Sequence, residues 1–376
     1  MSAAAAPDAE RAAARVAAGV AESLPGRGLN ASYRLVEAGV PYAVKVHCAE
    51  RSGAVEAARI RRVDALLRGA AWYPPVLDLA TVRGNGRDHL VVVRPYAPGV
   101  PSDDARAHLP DVVDVLAELA AGARDTVVDD ALVGDYATPW LTDDVRERER
   151  VAPLLTGEWT ALGRAVDVQL PAALAGAARL TRAGVVMVHH GDLHGRNLIS
   201  DGAGRLTVID WDETGFSRRP ADAGKALWLS CRQGRGDFVL DPVAVRDFLE
   251  LLHGRAGVPY GQAADVARLG AVWFLPRREH IDLLARRGAE LGPWYLGWIE
   301  RFWARYAENV ALVAATAAEL DAAVPGGRWG RRLRRAARHR GERVTCARRP
   351  GSRRRAGTRR RHRSGCSAAP AVCRGR

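Results

Sequence analysis

The stretch of this chain densest in groups that act on protons or cations is His189-His190-Gly191-Asp192-Leu193-His194-Gly195-Arg196-Asn197-Leu198-Ile199. It follows a short apolar run at 185–188, and Asn197 stands five residues after Asp192. A second apolar run, 206–209, delivers Asp210, followed by Trp211, Asp212 and Glu213. Read as two strand ends, these segments bring two carboxylates and an amide toward one point. Hard oxygen donors of that kind suit magnesium, which keeps several waters and takes few protein ligands. A free carboxylate beside them can accept or orient a hydroxyl proton. The chemistry such a set supports is transfer of a charged group onto a hydroxyl.

Taken in order and at this separation, the two segments resemble the protein-kinase-like phosphotransferases, His-x-Asp-x-x-x-x-Asn followed by a metal-binding Asp. More narrowly they are similar to the aminoglycoside phosphotransferase and choline kinase family, whose loop reads His-Gly-Asp-Leu-His-x-x-Asn and whose metal Asp sits in Ile-Asp-Trp or Ile-Asp-Phe. The resemblance runs over roughly residues 24–320 and is strongest over about 188–228. It implies an α+β, bilobal protein-kinase-like fold, with a small antiparallel-sheet N-lobe and a mostly helical C-lobe. It implies ATP and Mg2+, Asp192 as the catalytic base or hydroxyl-orienting group, and Asn197 and Asp210 as magnesium ligands. His190 is then the histidine that braces the loop. Arg219-Pro220-Ala221-Asp222-Ala223-Gly224 resembles the family's Pro-x-x-Asp-Leu-Ala stretch, in which the Asp is structural. Lys225, just after it, reads as a surface residue. Trp211 stands where protein kinases carry the Phe of Asp-Phe-Gly, so regulation by flipping that Phe is not implied.

Other residues must surround the phosphates. Tyr42-Ala43-Val44-Lys45-Val46 resembles the strand whose Lys grips the α- and β-phosphates. Its partner is expected on the next helix as Glu56, with Glu50 as substitute; a helix N-terminal acid favoured by the dipole is the plain alternative for Glu56. Upstream, Pro25-Gly26-Arg27-Gly28-Leu29-Asn30-Ala31-Ser32-Tyr33 occupies the phosphate-loop position. It resembles the Gly-x-x-Asn-x-x-Tyr turn of small-molecule kinases, which makes Gly28, Asn30 and Ser32 nucleotide contacts; a plain hairpin turn is the alternative. Residues 91–96 precede a hinge and should edge the adenine pocket through backbone groups.

The elements that position these residues follow from period and punctuation. Strands are expected at 33–36, 42–46, 76–82 and 89–94, with Gly84-Asn85-Gly86 as a hairpin turn. A helix over about 53–68, capped by Ser52, is inserted after the Lys strand. Three prolines and a glycine in 95–101 mark a hinge. Beyond it, helices are expected at about 104–123, 158–182, 242–253, 262–287 and 293–320. The division is therefore 1–96 for the nucleotide-binding lobe, 97–330 for the hinge and the catalytic, acceptor-binding lobe, and 331–376 for a tail.

Charge separates that tail from the body. The formal net charge is +13, but residues 331–376 hold 18 Arg, no Lys and one acid, a net of +17, which leaves −4 for the preceding 330 residues. The tail is low-complexity, nearly devoid of aliphatic and aromatic side chains, and should not fold alone. Its charge binds nucleic acid only non-specifically, because no aromatics are interleaved to stack on bases. A nucleic-acid-binding protein acting through this tail is the alternative from another class. The acidic body fits a cationic acceptor, with Asp212 and Glu213, beside the metal site, as contacts for its amines and six Trp after residue 211 as candidate faces for a cation. Core packing is the simpler role for most of those rings. Together with the resemblance this points to an aminoglycoside-like or other amine-bearing acceptor and to antibiotic resistance; choline, homoserine or a sugar is the alternative acceptor. No segment is apolar for the length a membrane helix needs, and the charged start, with Asp8, Glu10, Arg11 and Arg15, reads as an amphipathic helix of a cytoplasmic protein. Cys48 and Cys231 stand alone in the body and form no disulfide framework. Oligomeric state is left open by the sequence. Only two of 56 basic residues are lysines, Lys45 and Lys225, in a chain that otherwise uses arginine.

Overall fold

Alternating side chains build the first layer. In the computed structural model, which describes residues 6–24, 29–101, 104–123, 126–201, 203–234 and 236–324, strands β1 (Glu22–Ser23), β2 (Ala31–Glu37), β3 (Val40–Val46), β4 (Asp78–Gly84) and β5 (Arg87–Pro95) form one antiparallel sheet in the order β1-β2-β3-β5-β4. The two-residue turns are left-handed at both positions, Ala38-Gly39 at φ 51° and 82° and Asn85-Gly86 at φ 50° and 75°. Such turns match the twist of paired strands and favour Gly and Asn. Period two then divides β5: Val91 and Val93 pack with Leu35, Tyr42 and Val44 beneath helix α1 (Ala9–Ala17), while Leu90 and Val92 pack with Leu79 against Ala57 and Ile60 of helix α2 (Ala54–Leu67). Each such buried aliphatic side chain contributes roughly 1.5–3 kcal/mol.

The cap of α2 differs from expectation. Gly53 is the N-cap, and Ser52 instead donates its hydroxyl to the Cys48 carbonyl and accepts from Leu90 N–H, which ties the helix entry to β5.

Past the hinge the chain is helical: α3 (Leu109–Ala121), α4 (Thr138–Thr142), α5 (Asp144–Val151) and α6 (Thr160–Arg179). Two short antiparallel pairs follow, β6 (Met187–His189) with β9 (Gly215–Ser217), and β7 (Leu198–Ser200) with β8 (Leu206–Val208). Helices α7 (Ala221–Ser230), α8 (Pro242–Ala256), α9 (Ala263–Val272), α10 (Arg278–Arg287) and the 33-residue α11 (Leu291–Ala323) complete it.

Two departures from the periodic expectation matter for the site. All ten residues of α7 are buried, so it has no polar face and no 3.6-residue period to read. The single helix expected over 262–287 is two, broken after Val272. Pro276 lacks an N–H and disfavours helical Leu275. The break turns Trp273 and Arg277 toward the catalytic loop.

Helix α7 lies unusually close to α9. A Cβ on Gly224 would stand 2.5 Å from Gly270 N and 2.6 Å from the Val266 carbonyl oxygen. Trp228 of α7 donates to the Ala267 carbonyl and packs on Phe302, within an aromatic core that includes Phe238, Phe274 and Trp298. Most of the late tryptophans are therefore packing residues. Contacts divide the chain into Met1–Ala323 and Val324–Arg376. Both expected lobes lie essentially within the first unit, and the expected tail, 331–376, lies outside the described residues. No helix among the described residues is long and apolar enough to cross a membrane.

Candidate active site

The loop that bears Asp192 leaves β6 at His189 and turns sharply at Gly191, whose φ is +87°. A side chain there would also run into Glu213, since its Cβ would lie 2.4 Å from the Glu213 carbonyl oxygen. Asp222, in the first turn of α7, holds the turn: its carboxylate accepts from His190 N–H at 2.6 Å and from Gly191 N–H at 2.8 Å. His190 is fully buried and joins two segments. Its Nδ1 accepts the Asp192 N–H at 3.1 Å, so its Nε2 carries the proton and donates to the Ile209 carbonyl at 2.9 Å. Burial pushes its pKa down, which keeps this neutral tautomer. Asn197 closes the loop by donating to the Asp192 carbonyl at 2.8 Å, and Ile209 N–H donates to the Asn197 carbonyl, also at 2.8 Å. Asp192, Asn197 and Asp210 are thus brought to one place by a shared hydrogen-bond set. Asp210 itself is left-handed, φ 66° and ψ 54°, a conformation a non-glycine residue keeps only where its surroundings enforce it.

Two groups of charge flank this frame. In the first, Lys45 Nζ lies 2.8 Å from Asp210 Oδ1 and 2.8 Å from Asp212 Oδ2. Burial alone would lower the lysine's pKa, but the two carboxylates outweigh it and raise it. Asp212 is pushed up to about 6 by burial and by Asp210. Asp210 is held low because Lys45 overcomes its burial. Asn30 donates to Asp212 at 2.8 Å and accepts from Cys48 N–H at 3.0 Å, so the later part of the expected phosphate loop is anchored to the same corner. Ser32 stands opposite Lys45 in the β2–β3 register. Gly28 lies outside the described residues.

Glu56 is corrected. Its ion pair is with Arg59, at 3.3 Å, not with Lys45. Two acids from the 210–212 segment reach Lys45 first. Glu50, the substitute, pairs with Arg87 and with Arg286 of α10.

The second group surrounds Asp192 and corrects three readings. Lys225 is not a surface residue; it is fully buried, with Nζ 2.8 Å from Asp192 Oδ1, 2.8 Å from the Gly191 carbonyl and 3.5 Å from the centre of the Trp273 ring. Glu213 is not free for a substrate amine: Arg51 stands at 3.0 Å, Lys225 at 3.7 Å and Arg277 at 3.8 Å, and Trp273 Nε1 donates to it at 3.3 Å. Burial opposes its ionisation, but Lys225, Arg277 and Arg51 hold its pKa well below the carboxylate range. Asp212 is engaged as described, and the Trp273 face holds the protein's own lysine. His194, 3.7 Å from Asp192, is pushed down to about 4 by burial, against the pull of Asp192. Among the more distant acids, Glu279 pairs with Arg150 and Asp282 with Arg278.

The donor set has the chemistry of a magnesium site that relies on phosphate and water for most of its ligands. No trio of His, Cys, Asp and Glu among the described residues forms an all-protein metal cage. Asp210 with Asn197 fits an ion that takes one or two protein oxygens and fills the rest of its shell with phosphate and water.

Comparison with known proteins follows the same lines. The family model described as "Phosphotransferase enzyme family" matches residues 20–258. A solved microcompartment-associated aminopropanol kinase is similar in fold, with a TM-score of 0.57 at 19% identity, covering 78% of this chain and 94% of that one. A spectinomycin phosphotransferase solved with ADP and spectinomycin is similar with a TM-score of 0.53 at 12% identity, covering 79% and 92%. No curated protein matches by sequence.

Proposed function

Because the chain belongs to the phosphotransferase enzyme family, we propose that it transfers the γ-phosphoryl group of ATP to a hydroxyl of a small molecule, with Asp192 as the group that orients the hydroxyl and takes its proton. The observation that carries this reading is the His190 bridge, whose two ring nitrogens bond Asp192 N–H and the carbonyl next to Asp210. It couples a proton acceptor to a metal-type carboxylate across 18 residues of sequence. In the reaction the acceptor oxygen bonds to the γ-phosphorus, the bond from that phosphorus to the β-bridging oxygen breaks, and the hydroxyl proton passes to Asp192. Lys45 supplies positive charge where the phosphates would lie, and Asn30 and Ser32 stand on the strand and turn beside it. Asp210 and Asn197 would hold magnesium, whose charge offsets that of the phosphates.

The acceptor's class rests on charge. Asp212 and Glu213 are both engaged with the protein's own cations, so an amine-bearing acceptor rests on the acidic body and not on these two acids. A screen of ATP consumption with magnesium separates the classes: aminoglycosides and other amine antibiotics in one arm, and choline, homoserine and sugars in the other. Activity in the antibiotic arm is what a resistance role requires. Asp192→Asn is the control, with turnover expected to fall by about two to four orders of magnitude while ATP binding persists. Wild-type turnover in that variant would remove Asp192 from the mechanism.

A further inference from the structure

Both lysines of this arginine-rich chain meet carboxylates of the site, but they differ in access. Lys45 retains 23% exposure of its side chain, whereas that of Lys225 has none. A buried ammonium must find partners for its donors, and those of Lys225 all belong to the catalytic loop or its surroundings. Asp192 Oδ1 and the Gly191 carbonyl each stand at 2.8 Å, and Glu213 Oε2 at 3.7 Å. The Trp273 ring lies 3.5 Å from Nζ.

The placement follows from the helix. Lys225 is three residues after Asp222, and positions three apart share a helix face. Asp222 takes the N–H of Gly191 and Lys225 takes its C=O. One turn of α7 therefore grips the residue before Asp192 at both of its backbone polar groups, and Lys225 also reaches the Asp192 side chain. The carboxylate's contacts with Lys225 and His194 both fall on Oδ1, and 30% of the side chain remains exposed. A compact head with tetrahedrally arranged donors makes these contacts; a planar guanidinium has a different donor geometry.

We propose that Lys225 is a positioning residue for the transfer: by holding Oδ1 and the Gly191 carbonyl, it aims Oδ2 of Asp192 at the acceptor hydroxyl. The inference rests on the reading of Asp192 given above and adds a second residue, acting through the first. Transfer in line needs the hydroxyl oxygen aimed at phosphorus, and a displacement of about 1 Å costs on the order of 10²-fold in rate.

The test is a double-mutant cycle in the full chain, using whichever acceptor the screen identifies. Lys225→Met keeps the length and apolar stem and removes the charge. It should lower kcat by about 10- to 100-fold while the KM for ATP stays within about threefold, a split that a general loss of structure would not produce. In the Asp192→Asn background the same substitution should lower kcat by no more than about twofold, because the group it positions has already been altered. A Lys225→Met enzyme with kcat within about twofold of wild type overturns the proposal, as does a double variant whose loss is the product of the two single losses. Asp192→Asn at wild-type turnover would instead overturn the reading of Asp192, so the two failures are distinct. Should Lys225→Met not fold, Lys225→Gln, which retains a donor for the Gly191 carbonyl, carries the same cycle with the same two overturning results.

Discussion

Replacing Asp222 by alanine should both destabilise the protein and slow catalysis, in proportions that the structure sets. The substitution removes two short hydrogen bonds, 2.6 Å from His190 N–H and 2.8 Å from Gly191 N–H, at a residue only 4% exposed. Hydrogen bonds to a charged group contribute about 1.5–3 kcal/mol each, and buried donors left without partners add to the cost. The two bonds serve adjacent residues and are not independent, so a total of about 3–5 kcal/mol is expected. At roughly 2 °C per kcal/mol for a large domain, thermal unfolding should fall by about 6–10 °C. Asparagine keeps one acceptor oxygen but presents an amide N–H2 to the second donor, and should cost about 2–3 kcal/mol. Because Gly191 then loses one of its two anchors beside Asp192, kcat should fall by on the order of 10²-fold for alanine, measured well below the unfolding midpoint. Urea titration gives the stability term, and steady-state kinetics at 15 °C give the catalytic one. An Asp222→Ala protein with its midpoint within 2 °C of wild type and kcat within about twofold would refute the view that Asp222 holds the loop.

Gly224→Ala should lower stability by about 1–3 kcal/mol, since its Cβ would collide with the α9 backbone at 2.5–2.7 Å; an unchanged or raised urea midpoint would show that α7 and α9 can part freely. Acid should destabilise the protein below neutrality. His194 is lowered to about 4, and His47 and His280 to about 3, each mainly by burial. A folded-state pKa below the unfolded value means that stability is full above about pH 6.5 and is lost as pH falls toward the folded values. At pH 5.5 each contributes a loss of roughly 1.4 kcal/mol, about 4 kcal/mol together. Asp212, raised to about 6, works in the opposite sense and returns about 1 kcal/mol at that pH. The His47, His194, His280 and Asp212 contributions alone sum to a loss of about 3 kcal/mol, and His190, also lowered by burial, adds to it; urea midpoints at pH 7.5 and 5.5 read the loss, and equal midpoints would contradict it.

The convergence of Asp192, Asn197 and Asp210 was readable because it is local. Asp192, Asn197 and Asp210 lie on two short segments whose apolar runs and turn residues mark strand ends, and the backbone brings them together as those marks suggest. The N-lobe hairpins were readable for the same reason, through Asn85-Gly86 and the alternation in β5. What was not readable depends on distance in sequence or on uniform burial. Glu213 is neutralised by Arg51 and Arg277, 162 residues before it and 64 after, and no spacing rule connects them. Lys45 took acids from the 210–212 segment in place of Glu56 on the adjacent helix. Lys225 was read as exposed because α7, buried on every side, offers no polar face against which to recognise an internal charge. The signal that pointed to it was compositional: a lysine kept where arginine is the rule.

That rarity has a practical use. Apart from its terminal amine, the chain has two primary amines, and each stands 2.8 Å from a carboxylate of the candidate site. The guanidinium groups of the many arginines stay protonated and do not react with amine-directed reagents. Both lysines resist a limiting dose of an amine-directed probe in the folded protein, Lys45 because Asp210 and Asp212 keep it protonated and Lys225 because it is sealed, so labelling at each would report separately on loss of the Lys45 ion pairs and on opening of the core beneath Asp192. Cleavage after lysine would divide the denatured polypeptide at just these two points, giving fragments 1–45, 46–225 and 226–376 that part the two charge groups of the candidate site.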